Sequence, residues 1–208
     1  MSPPATRGPL PLFPLQTVLF PDAVLSLKVF EARYLDLVSD CLRTRQPFGV
    51  IGLREGAEVG RGTNATALES VGVLAHIEEV DAEQASILRV RCSGGLRFRI
   101  TRPPVQQEDG LWTAHPESIP PDPQRMPGPA MLKTVSALDE AIHKLQERDH
   151  VPFAMPYRLD DAGWVANRWC ELLPLSMAAK QKLMELEDPV IRLSLVDGFL
   201  RDRKVVFG

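Results

Sequence analysis

One short stretch of the chain brings an acid, a base and two rings together: Phe30-Glu31-Ala32-Arg33-Tyr34. A guanidinium can hold carbonyls or a carboxylate, a carboxylate can take amide N–H groups, and rings can cover apolar side chains. Glu31 and Arg33, flanked by Phe30 and Tyr34, could therefore clamp the backbone or termini of a peptide. The same residues could serve the fold instead, with Arg33 pairing to a carboxylate or helix carbonyl while Phe30 and Tyr34 pack. A second candidate lies in the loop 147–159, where Val151, Phe153, Met155 and Tyr157 alternate, with Trp164 soon after. Aromatic and thioether side chains in an irregular segment suit adaptable contact with a peptide, or else cover a seam between domains. Trp164 and Trp169 are five apart, so they do not share a helix face. The expectation is one in the core and one exposed.

Arg89, Arg91, Arg97, Arg99 and Arg102 would place several guanidiniums on one hairpin face, which is phosphate-binding chemistry and the basis of an RNA-binding alternative. Against it stand Glu78, Glu79, Asp81 and Glu83 on the preceding segment, able to pair with them across strands. The formal net charge of −3 also lacks the positive surplus that a nucleic-acid binder wants. The histidines His76, His115, His143 and His150 are scattered, and none stands beside a nucleophile or in metal-ligand spacing. Residues 56–63, Gly-Ala-Glu-Val-Gly-Arg-Gly-Thr, lack the lysine and spacing of a phosphate-cradling loop. No catalytic residue, metal or cofactor is expected.

Cys41, Cys92 and Cys170 lie far apart among apolar neighbours, which reads as three buried thiols and no disulfide framework. Nothing approaches the ~18 apolar residues of a membrane span. The N-terminus lacks a signal peptide's apolar core, so a cytoplasmic location is the expectation. With 44% hydrophobic and 25% charged residues, the 208-residue chain can bury a core, as one large domain or two small ones.

The elements that must position these residues follow from periodicity. Pro11 and Pro14 make residues 10–15 extended, and prolines favour an edge strand. Leu25, Leu27 and Val29 alternate with Ser26 and Lys28, a half-buried strand. Tyr34, Leu35, Val38, Cys41 and Leu42 then take a helical period, with Glu31 in the first turn and Pro47 ending it. Residues 48–53 form a short apolar strand, and Val71, Val73, Ala75 and Ile77 another. Leu88, Val90 and Cys92, then Leu96, Phe98 and Ile100, predict two strands joined by a turn at Ser93-Gly94-Gly95. A short strand is expected near residues 111–114. Six prolines between 116 and 129 predict a strap. Beyond it the period is helical. Leu132, Val135, Leu138, Ile142 and Leu145 form one stripe, followed by helices capped by Asp160 or Asp161, by Ser176, and by Asp188 with Pro189. Strands first and helices second give an α+β class.

Six strings in order resemble the N-terminal substrate-recognition domain of Lon proteases. They are Leu-Pro-Leu-Phe-Pro-Leu at 10–15, Phe30-Glu31-Ala32-Arg33-Tyr34, Phe48-Gly49-Val50, Val71-Gly72-Val73-Leu74-Ala75-His76-Ile77, Gly95-Leu96-Arg97-Phe98-Arg99-Ile100, and Leu172-Leu173-Pro174-Leu175-Ser176 running on to Glu187-Asp188. The resemblance implies a PUA-like β-barrel with one helix over 8–117, the proline strap over 118–128 and a C-terminal helical bundle over 129–204. It implies a free-standing, non-catalytic module that grips unfolded or partly folded polypeptide, or a dedicated protein partner. The ATPase and peptidase of a full Lon protease find no residues here. Asp22 departs from the Phe-Pro-Gly common in the family after the first strand, and a local change in the turn is expected there.

Overall fold

The computed structural model describes residues 8–54, 68–84, 86–148 and 153–203. The string 56–63, His150 and Val151 lie outside the described residues, as does the side chain of Glu83. The order is β1 (Leu10–Leu15), β2 (Val24–Val29), α1 (Ala32–Thr44), β3 (Phe48–Leu53), β4 (Leu68–Gln84), β5 (Ile87–Ile100), β6 (Val105–Gln106), β7 (Trp112–Ala114) and β8 (Pro116–Ser118). A 3-10 turn (Pro129–Met131) follows, then α2 (Leu132–Gln146), α3 (Ala162–Leu172), α4 (Met177–Glu185) and α5 (Pro189–Asp202). This is the α+β class. Two compact units divide the chain: one runs up to Pro21 and over Leu25–Pro120, the other takes Asp22–Val24 and the residues from Pro121 onward.

In the first unit the strands make a mixed sheet of order β2-β5-β4-β3-β1-β7-β6, with β8 also on β5. Among the described residues its two ends, β2 and β6, do not pair, so the expected barrel is an unclosed sheet. The core gathers Leu10, Leu12, Ile51, Leu53, Leu68, Phe98, Trp112 and Ala114. Gly72 lies under Phe98, where an added Cβ would sit 2.7 Å from the ring and 2.4 Å from the Val50 carbonyl oxygen. The strand can cross this core only without a side chain at that point.

Three expectations are corrected here. β1 is not an edge strand, because it lies between β3 and β7. Its prolines are tolerated because each has one registered neighbour: Pro11 faces Thr113 of β7, and Pro14 faces Ile51 of β3. Ser93-Gly94-Gly95 is not a turn. It lies inside β5, with Gly94 opposite Ala75 and Ser93 opposite His76, and the hairpin turns at Ser86 (φ +69°). Gly94 is required for close approach, since a Cβ there would come within 2.2 Å of the Phe20 carbonyl oxygen. The strap also begins as a strand, β8, which pairs Ser118 with Phe98.

The second unit is built on α3, whose residues 162–170 are all buried. Its cap is Asp161, which accepts from the Gly163 and Trp164 amides at 2.9 and 3.4 Å. Ser176 caps α4 through the Ala179 amide at 3.2 Å. Asp188 caps α5 through Val190 and Ile191 at 2.8 and 3.0 Å, with Pro189 in the first turn. The α2 stripe rotates from its expected line: Leu132 is exposed, and Thr134 is buried with Leu138 and Ile142. Thr134 is accommodated because its hydroxyl donates to the Asp197 carboxylate and its carbonyl accepts from the Trp169 indole at 3.1 Å.

Candidate polypeptide-binding groove

α1 starts at Glu31, which takes the N-cap position with extended backbone but makes no side-chain cap. Its carboxylate turns instead to Arg33 at 2.7 Å. The Arg33 guanidinium is buried, donates to the Gly110 carbonyl at 2.8 Å and lies 4.7 Å over the Tyr34 ring. Tyr34 is buried and stacks on Phe13 with ring centroids 4.0 Å apart. Phe30 is half exposed, at 51%. Leu37 replaces Leu42 on the buried face of α1, and Leu42 is exposed.

Neighbouring residues of this cluster serve different hollows. Phe30, Glu31 and Tyr34 line a cavity of about 290 Å³ together with Phe13, Leu15 and the β2 residues Leu25, Leu27 and Val29. It runs beside β2, which ends the sheet path and pairs with β5 alone among the described residues. A strand in that position presents backbone donors and acceptors along its open side. Arg33 lines a second cavity of about 620 Å³. The sequence signalled the helix start. The open edge was not legible, because it depends on which strands close the sheet.

The second aromatic group packs inward. Phe153 and Trp164 meet edge to face with centroids 6.0 Å apart, and Tyr157 lies 5.9 Å from Trp164. Arg168, fully buried on α3, fills the space between them, 5.3 Å from Phe153 and 5.6 Å from Trp164. Trp164 and Trp169 are both buried, so the expectation of one exposed tryptophan is corrected. Helix α3 is buried all round, and no side of it is left for an exposed ring. Met155 is exposed and Tyr157 half-buried, its hydroxyl accepting from Gln146 at 3.1 Å.

Buried ion pairs in this unit escaped the sequence reading. Arg168 meets Glu171 at 2.5 Å and donates to the Asp22 carbonyl at 2.7 Å. Burial pushes the Glu171 carboxyl up to about 7 against the pull of that guanidinium. Asp22 takes the left-handed backbone (φ +61°) that glycine would supply, and its carboxylate holds Arg158. Arg192 is buried and forks onto Asp122 at 2.6 and 3.3 Å, while also donating to Asn167 at 3.1 Å and Leu183 O at 2.9 Å. The available signal was helical spacing, since Arg192, Val196 and Leu200 recur every four residues on the buried face.

The hairpin arginines do not form one face. Arg97 is buried while Arg89, Arg91 and Arg99 are exposed, and register shifts along β4 and β5 separate Arg97 and Arg99 from Arg89 and Arg91. Arg91 stands opposite Glu79 and Arg89 opposite Asp81. Glu78 accepts from the Ser93 hydroxyl. Guanidiniums set across from carboxylates in this way do not support the RNA alternative.

Residues 9–202 match the family model of the ATP-dependent protease La (LON) substrate-binding domain. The chain belongs to this family. A crystal structure of a Lon N-terminal domain protein from Xanthomonas campestris is similar at 32% identity, with a TM-score of 0.74 over 92% of this chain and 98% of that one. The N-terminal domain of the Mycobacterium avium complex Lon protease shares the fold at 17% identity, with a TM-score of 0.60 over 94% of this chain and 99% of that one. Lon protease 2 of Herpetosiphon aurantiacus is 30% identical over 203 residues, which are 92% of this chain. The chain spans about a quarter (24%) of that relative's length. No helix among the described residues of this LON-family chain is long and apolar enough to cross a membrane.

Proposed function

We propose that this module holds extended segments of unfolded or partly folded polypeptide along the open side of β2. Main-chain hydrogen bonds to the strand edge would give affinity with little sequence preference, and alternate side chains would enter the hollow beside it. The observation that carries this reading is the coincidence of an unclosed sheet end with a cavity of about 290 Å³ lined by Phe13, Leu15, Leu25, Leu27 and Val29. Phe30 and Tyr34 are the apolar contacts, Glu31 meets backbone amides, and Arg33 positions Glu31. The family's description as a substrate-binding domain supports the same role. The module itself does no chemistry, and any ATPase or peptidase step on the held segment is supplied outside it.

The test is fluorescence anisotropy with a carboxymethylated, permanently unfolded protein and with a mixed single-stranded RNA, at low and high salt. Binding of the unfolded protein that survives salt is expected, because strand pairing and apolar contact are not screened. Phe30→Ala, at an exposed position, should weaken it about tenfold, on the order of one buried side chain. Salt-sensitive binding of RNA without polypeptide binding overturns the proposal. So does binding to neither, which leaves a dedicated folded partner.

A further inference from the structure

The larger hollow of the first unit, about 620 Å³, lies against the other flank of α1, the start of β1 and the turn between β6 and β7. That is the size of a small-ligand site and ample for one long side chain. Its wall is apolar where Leu37, Cys41 and Leu111 line it. Three carboxylates, Asp36, Asp40 and Asp109, stand around that wall, against one guanidinium, Arg33. Arg33 is already engaged, by Glu31 at 2.7 Å and by the Gly110 carbonyl at 2.8 Å. Asp36 and Asp40 are four apart on α1, so they stand on the same face one turn apart. Asp36 has no hydrogen-bond or ion-pair partner among the described residues. Asp40 pairs with Arg43 at 2.8 Å, but both side chains are about 70% exposed (71% and 69%), a pairing that a competing cation can exchange. Asp109 accepts from the Leu111 amide at 2.8 Å through one oxygen.

We infer that this hollow takes a lysine or arginine side chain of a bound polypeptide, its aliphatic stem against Leu37, Cys41 and Leu111 and its charged head among Asp36, Asp40 and Asp109. A long cationic side chain has this amphipathic form, and an acidic or short polar one does not. The inference rests on the reading that the module holds polypeptide, and it adds a preference for basic residues that the β2 edge does not supply.

Two arms separate the cavity from the strand edge. In the first, N-acetyl-arginine amide is titrated into the isotope-labelled full chain. It should shift the backbone amides of residues 36–44 and 111, while N-acetyl-glutamate amide leaves them in place. In the second, anisotropy compares peptides matched except for a central Arg or Glu. The Arg peptide should bind about tenfold more tightly at low salt, a preference lost in the Asp36→Asn/Asp109→Asn double variant, with Phe30→Ala weakening both peptides alike. Equal binding of the two peptides, a preference that survives the double variant, or no shift with the arginine amide overturns the cavity assignment. If neither peptide binds while the arginine amide still shifts those resonances, the β2 reading fails and the cavity stands.

Discussion

A charged side chain in this protein counts for what surrounds it. Arg192 is buried and Asp122 nearly so, so replacing Arg192 by Met would strand a carboxylate without its partner. Arg192→Met should cost about 3 kcal/mol in urea unfolding. Arg43→Met, which breaks an exposed pair with Asp40, should cost under about 0.5 kcal/mol in the same measurement. Asp197 gives the molecule an acid dependence. Burial raises its carboxyl, but hydrogen bonds from Arg201 and Thr134 outweigh burial and hold it below the usual carboxylate range. Its stabilisation is therefore present above the unfolded carboxyl value of about 3.9 and is lost as pH falls through the lower folded value. Urea midpoints measured from pH 7 down to pH 3 should fall less steeply below about pH 4 for Asp197→Asn than for the native chain. Arg192 carried only the signal of its four-residue spacing with Val196 and Leu200, and Asp197 carried none, because an isolated charge in a helix looks the same whether it faces solvent or a buried partner.

Elements carried most of the legible information. The periods of β2, β3 and α5, and the caps Ser176 and Asp188, depend on near neighbours in the chain and were read from it; the α3 cap was narrowed to Asp160 or Asp161, and α1 was placed with Leu42 instead of Leu37 on its buried face. The hairpin was misread at Ser93-Gly94-Gly95 because two consecutive glycines meet the local requirement of a turn. Here Gly94 meets a long-range one, room for the Phe20 carbonyl. That difference can be measured. Gly94→Ala, with its Cβ 2.2 Å from that oxygen, should destabilise the chain by about 2–3 kcal/mol in thermal or urea unfolding. Gly198→Ala on α5, where a Cβ meets nothing within 4 Å, should stabilise it by about 0.5–1 kcal/mol by helix propensity.

All three thiols are buried, two in the first unit and one in the second, and burial first of all pushes Cys41 up to about 11 and Cys92 and Cys170 up to about 12. The native chain should leave a chromogenic thiol reagent unconsumed at pH 8, and unfolding in urea should release three equivalents, since thiolates do the reacting. The sequence by itself determined the α+β class, the position of most elements, the family and the Phe30–Tyr34 cluster, because these follow from periodicity, capping and short motifs. Tertiary structure decided that β2 ends the sheet among the described residues, that Arg97 turns inward, that Trp164 closes over Arg168, and that Asp36 and Asp109 border one hollow. Each of these depends on which distant residues meet, and spacing along a chain does not record whether a side chain finds a partner or solvent there.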